Sequence, residues 1–170
     1  FALFSPRVQA NTYEAELPAG LASATDMCAL LPCTEVFPGA THFSERKGQP
    51  PYVEAYDKAG ADKKLLGYVM LSTDITDTPA YSGKPVVTLI GMDTKGIFVG
   101  VKVLKHSEPI LLLGIPESAL LNFNAQYLGK SVADKIEVGQ SRPDEEVLGL
   151  DAISGATVTV IAQNQVMMAS

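Results

Sequence analysis

The residues best suited to chemistry lie near the C-terminal end, in Asp151-Ala152-Ile153-Ser154-Gly155-Ala156-Thr157-Val158-Thr159. Gly155 permits a tight turn, and Ser154, Ala156 and Thr157 are small enough for a ligand to approach the backbone. A helix is expected from about Ala156 to the end of the chain. The first N–H groups of a helix lack internal acceptors and point outward, so such an end favours an anion and suits a phosphate. Ser154, Thr157 and Thr159 add hydroxyl donors. Thr157 and Thr159 cannot share one helix face, so at most one of them points at the same spot as Ser154. The same string also reads as an ordinary helix start, with Ser154-Gly155 capping the free N–H groups. Residue chemistry alone leaves the cap and the phosphate site both open.

Other chemistries find less support. Cys28 and Cys33 flank Leu31-Pro32 at a spacing that matches no metal or redox motif, and two ligands are too few for a structural zinc. They form either a disulfide, in an oxidising compartment, or two small, partly buried thiols. His42 and His106 lie far apart and suggest no metal site. No nucleophile elbow and no glycine-rich phosphate loop is present. Net charge is −6, and the densest basic patch, Arg46-Lys47 with Lys58, Lys63 and Lys64, is set among Gly, Pro and Asp. That composition reads as a solvated loop face, and no nucleic-acid partner is expected. The longest apolar run, Ile110 to Ile115, is far short of the ~20 residues of a membrane span.

The elements that must hold the C-terminal segment read as one domain. With 170 residues the chain has the length of a single core. Residues 1–20, with Pro6, Pro18 and Gly20 and little periodicity, are expected to be a flexible arm or leader remnant. Phe1-Ala2-Leu3-Phe4 shows no basic n-region of a signal peptide, and residues 21–170 are expected to be the domain. A short helix is expected over 21–31, stopped before Pro32. Strands are expected at Tyr52–Tyr56, Leu65–Thr73, Val86–Met92 and Ile97–Lys105, with Asp93-Thr94-Lys95-Gly96 as a hairpin turn. Alternation in the last strand sends Ile97, Val99, Val101 and Val103 to the core. A helix is expected over Glu117–Tyr127, between Pro116 and Gly129. The fold class is α+β, an antiparallel, curved sheet flanked by helices, with the last helix starting at Ser-Gly-Ala-Thr.

Asp151-x-x-Ser154-Gly155-Ala156-Thr157 resembles the flavinylation motif of the FMN-binding domain family. The likeness extends over roughly residues 22–170: Phe37-Pro38-Gly39-Ala40-Thr41, Gly67-Tyr68-Val69, Tyr81-Ser82-Gly83-Lys84-Pro85, Leu89-Ile90-Gly91-Met92-Asp93 and Gly96–Val103 are similar to its early segment and central sheet. His106-Ser107-Glu108-Pro109 resembles its ring-contact loop. In that family a separate flavin transferase uses FAD and magnesium to join FMN through its phosphate to the last Thr of the motif, here Thr157. The family includes exported subunits of the sodium-pumping NADH:quinone oxidoreductase and of the Rnf complex, and periplasmic domains of nitrous oxide reductase accessory and regulatory proteins. The respiratory subunits usually read His-x-Glu-Thr-Pro-Gly-Leu-Gly after the histidine. This chain reads His106-Ser107-Glu108-Pro109-Ile110-Leu111-Leu112-Leu113-Gly114-Ile115-Pro116, which is similar to the accessory proteins.

The resemblance implies a covalent FMN, a phosphothreonine ester at Thr157, with Ser154, Gly155, Ala156 and Val158 around it. His106 is implied as a ring contact or proton donor, against a plain strand-closing histidine. Glu108 reads as a ring or sugar partner or as a solvated loop carboxylate. Pro109 and Ile110–Leu113 read as an apolar wall or as core, and Tyr81 as a stacking or a packing residue. Asp151 reads as a recognition element for the transferase or a cap partner. No residue is expected to be catalytic, and the chain reads as an electron-transfer flavoprotein domain. Implied partners are the flavin transferase, a redox partner such as nitrous oxide reductase in denitrification, and membrane and iron–sulfur domains of the same full-length chain. The implied location is the periplasmic side of an inner-membrane protein. Two alternatives stand beside this: the flavin subunit of an ion-pumping respiratory complex, and a flavin-free sensory or docking domain.

Overall fold

The computed structural model describes residues 16–110 and 112–170. Most of the expected arm, residues 1–15, and Leu111 lie outside the described residues. The architecture is α+β. Five strands form one antiparallel sheet in chain order: β1 (His42–Phe43), β2 (Val53–Tyr56), β3 (Leu65–Leu71), β4 (Val87–Asp93) and β5 (Phe98–Lys105). The β4–β5 turn is the expected hairpin, with Gly96 at φ 78° and the Asp93 carboxylate accepting from the N–H groups of Lys95 and Ile97 at 2.8 and 2.9 Å.

Helices cover both faces of this sheet. On one face lies α1 (Cys33–Val36), and on the other α3 (Glu117–Ala125) and α4 (Thr157–Ala169). A short α2 (Ser72–Ile75) follows β3. Two further strands, β6 (Lys135–Val138) and β7 (Val147–Leu150), pair in parallel. They form between α3 and α4, where no strand was expected.

α1 can lie on the sheet because the sheet is lined with glycine there. Gly91 and Gly100 are paired across β4 and β5, and a Cβ on either would come within 2.2 and 2.0 Å of the Val36 carbonyl oxygen. The backbone of α1 therefore sits where side chains would otherwise stand. A disulfide between Cys28 and Cys33, with Cα atoms 5.4 Å apart, ties α1 to the preceding turn. Met27, Leu31, Val36 and Phe37 complete this layer with Val53, Val69 and Leu89.

Three expectations are corrected. Residues 21–31 form no continuous helix but two single 3-10 turns, Leu21–Ser23 and Met27–Ala29. Ala24 is extended, the Thr25 carbonyl is taken by the Arg46 N–H at 2.7 Å, and Asp26 restarts the turn by accepting from Ala29 N–H. The helix after Pro116 ends at Ala125 rather than Tyr127. In β5 the expected face fails because of a bulge: Met92 pairs with Phe98, but Gly91 pairs with Gly100. Val99 is the extra residue, so the alternation reverses across it. Phe98 joins Val101 beneath α3 and α4, and Val99 packs on the α1 side.

Four basic residues of the early loops face acids or a ring. Arg46 meets Asp74 at 3.0 Å, Lys47 meets Glu54 at 2.6 Å and Lys58 meets Asp62 at 2.8 Å. Lys63 stands 4.1 Å over the Tyr56 ring.

Candidate functional site

α4 begins at Thr157, and its N-cap is Ala156 rather than the expected Ser154-Gly155. Gly155, at φ 81°, makes the turn, and the Ala156 N–H closes back on the Ile153 carbonyl at 3.0 Å. No side chain caps the helix. The cap-partner reading of Asp151 therefore falls, and the first-turn N–H groups of α4 remain available to an external acceptor.

A cleft of about 280 Å³ opens in front of this end. It is lined by Gly155, Ala156, Thr157, Val158 and Thr159 of the helix start, by Pro109, Ile110 and Leu113 of the loop after β5, and by Tyr81. Seven of the sequence-derived site residues thus share one cavity: Tyr81, Pro109, Ile110, Gly155, Ala156, Thr157 and Val158. Ile110 is buried and ties the cleft to a core cluster that includes Val86, Val103 and Ala156. The rim is apolar yet open: Tyr81 is 65% exposed, Leu113 62% and Val158 53%.

Glu108 and His106 are brought to the same region but behind the cleft wall, with no exposed surface. The solvated-loop reading of Glu108 is corrected. Its carboxylate accepts from Tyr81 N–H at 3.1 Å, from Ser82 N–H at 3.0 Å and from the Thr159 hydroxyl. One buried acid therefore joins the Tyr81 loop, the loop after β5 and the first turn of α4, which are the three walls of the cleft. Such a group stabilises only while its acceptor atoms stay matched to donors. His106 does not reach the cleft as a ring contact. Its Nδ1 accepts from the Glu108 N–H at 3.2 Å, and its Nε2 faces Glu117 at 3.5 Å. Burial holds its pKa below the usual histidine value, against the pull of Glu117 and Glu108. The neutral ring supports the Glu108 loop.

The two threonines now differ. The Thr159 hydroxyl is buried and engaged with Glu108, whereas Thr157 is exposed at the cleft. Ser154 is exposed in the turn and does not line the cleft. Asp151 is also outside it. Its backbone is held instead by Gln126, whose side chain accepts from Asp151 N–H at 2.8 Å and donates to the Asp151 carbonyl at 3.1 Å. Gln126 was not anticipated from sequence. A lone glutamine in the last turn of a helix carries no signal until α3 and the motif are side by side.

A flavin mononucleotide fits this setting in kind. The open helix start suits its phosphate, the small Gly155 and Ala156 allow close approach, and the apolar rim suits one face of its ring. The cavity lies slightly below the ~300 Å³ of common small-molecule sites, so it would enclose part of the group. A larger groove of about 460 Å³, between Pro50, Tyr52, Tyr68, Met70 and Ser170, lies apart from these residues. Among the described residues no helix is long and apolar enough to cross a membrane, and no cluster of acids, His and Cys could hold a metal.

Residues 81–169 match the FMN-binding domain family. The chain is 45% identical over 105 residues to the regulatory protein NosR of Stutzerimonas stutzeri, covering 62% of this chain and 14% of that protein. Against the regulatory protein NosR of Pseudomonas aeruginosa it is 39% identical over 134 residues, 79% of this chain and 18% of the relative. It is 30% identical over 98 residues to the protein NirI of Paracoccus denitrificans, 58% of this chain and 13% of the relative. The matched stretches thus span less than a fifth of each curated relative.

Proposed function

The chain belongs to the FMN-binding domain family, and from that premise we propose that it carries one FMN joined by a phosphoester to Thr157 and serves as an electron-transfer domain. The observation that carries the choice of residue is the split between the threonines: Thr157 is open at the helix start, and the Thr159 hydroxyl is already held by Glu108. The attachment balances as a group transfer. An Oγ–P bond forms at Thr157, the phosphoanhydride of FAD breaks, AMP leaves and the hydroxyl proton is released. No electron moves.

The need for a covalent tether has a physical basis. Among the described residues no Lys or Arg lines the cleft, so a free FMN phosphate would meet helix N–H groups and the Thr157 hydroxyl but no cationic side chain. As a diester the phosphate keeps one negative charge, which those N–H groups can serve. When bound, FMN supplies the redox chemistry. The chain's own residues do the rest: Thr157 anchors, the helix start receives the phosphate, and Tyr81, Leu113 and Val158 shield one side of the ring from water. Glu108 fixes these walls relative to one another.

The location that fits is the periplasm, because the Cys28–Cys33 disulfide persists in an oxidising compartment. Likeness to NosR and NirI supports a role on the nitrous oxide reductase side of denitrification, with that enzyme as redox partner and with membrane and iron–sulfur parts in the full-length protein. The test is mass spectrometry after incubation with the transferase, FAD and magnesium. A gain of one FMN unit is expected in the wild type and in Thr159→Ala and not in Thr157→Ala; no gain in the wild type overturns the reading. The exposed rim of Tyr81, Leu112 and Leu113 favours one second reading, a flavin-free docking domain. Protein purified from its native host without flavin absorbance would select it.

A further inference from the structure

We infer that Gln126 is a positioning residue for flavin attachment, holding the backbone of Asp151 so that its carboxylate is presented to the transferase. The inference rests on the proposed function above. Asp151 stands between two anchored points. Before it, the Leu150 carbonyl at the end of β7 accepts from Gly139 N–H at 2.9 Å, and the Leu150 side chain is buried. After it, residues 152–155 run to α4 with one internal backbone bond, from Ala156 N–H to the Ile153 carbonyl. The Gln126 side chain makes both of its bonds to one residue, to Asp151 N–H and to the Asp151 carbonyl. A side-chain amide that satisfies both backbone groups of a single residue fixes its dihedral angles much as a strand partner would.

That amide is itself held firmly. The turn after α3 is joined to β5 by Gly129 N–H to the Phe98 carbonyl and by Phe98 N–H to the Lys130 carbonyl, each 2.9 Å. Tyr127, next to Gln126, is fully buried against Phe98 and Phe123. The central sheet thus sets the position of Asp151 through the end of α3. With its backbone groups occupied, the exposed Asp151 keeps its carboxylate free of any intramolecular partner among the described residues. Shallow clefts open on both sides of it, one along Ala119, Asn122 and Gln126 and one along Gly139 to Ser141. An enzyme that must grip an exposed segment binds it more tightly when the segment is already ordered.

The experiment measures initial rates of FMN transfer to the 170-residue chain by its transferase, with FAD and magnesium, as a function of chain concentration. Gln126→Met keeps the side-chain size and removes both bonds. It is expected to raise the apparent KM for the chain about tenfold with kcat within twofold. Gln126→Glu, which retains the acceptor for Asp151 N–H, is expected to fall between Gln126→Met and the wild type. In an Asp151→Ala background, Gln126→Met should add no further loss, since it acts through Asp151. An unchanged KM in Gln126→Met, or an equal additional loss in the Asp151→Ala background, overturns the inference. Absence of transfer to the wild type would instead strike the proposed function, so the two failures are distinct.

Discussion

The two faces of the sheet are built on opposite plans. On the α1 face, glycines let a backbone rest directly on β4 and β5, and a disulfide ties the layer down. Where α1 crosses Gly91 and Gly100 the contact is between backbone groups with little freedom to adjust. On the α4 face the contact is made by side chains, several of them polar: Gln163 donates to Thr88 and Asn124, and Glu108 gathers three donors around the cleft. One face supplies a fixed floor, and the other supplies groups whose directions define a site. A stable small domain can keep an exposed apolar rim on one face because the other is closed.

Substitutions can break this contrast at either face. The largest effect is expected from Gly100→Val, because the new Cβ meets the Val36 backbone and neither strand nor helix can yield. A loss of about 3 kcal/mol or more in chemical denaturation is expected, with FMN incorporation falling only as folding falls. Next is Glu108→Ala, which strands the Thr159 hydroxyl and two backbone N–H groups. About 2–3 kcal/mol should be lost. Unlike the glycine change, it should also lower FMN incorporation in the fraction that remains folded, read by mass spectrometry of the soluble protein.

Smaller changes sharpen the comparison. Replacing Cys28 and Cys33 by Ser should cost about 2 kcal/mol and leave the extent of FMN attachment unaltered, since the staple lies on the closed face. The pH dependence belongs to the working face. Burial lowers the His106 pKa in the folded protein, so the unfolded chain binds the extra proton. This contribution is whole above about pH 6.5 and is lost as pH falls from there toward the folded value. Thermal unfolding from pH 7 to pH 5 should be flatter for His106→Gln than for the wild type. The smallest effect on stability is expected for Thr157→Ala, within about 0.5 kcal/mol as for an exposed position, although it removes the proposed attachment point.

β2 to β5, the β4–β5 hairpin and α4 could be read from alternation, β-branched runs and the glycines at the turns, whereas β1, β6 and β7 could not. The start of α4 was legible because its residues are adjacent in sequence. Three further features were not legible because each depends on a distant partner. The face of Phe98 was misread because a bulge leaves no mark in a run of β-branched residues. The burial of Glu108 beneath a loop and a helix start required knowing that Tyr81 and Thr159 converge on it. Gln126 acts on a residue 25 positions away. Sequence shows local periodicity; pairings between segments are decided by how the layers stack.

The five strands of the sheet follow one another in order, each beside its predecessor. Such a meander can be assembled as the chain lengthens, because every pairing is with a neighbour. α4 is different: Gln163 reaches Thr88 across 75 residues and Thr159 reaches Glu108 across 51. The segment bearing Thr157 takes its shape only once the rest is in place to receive it. A group attached at that position would therefore report that α4 has docked on the sheet.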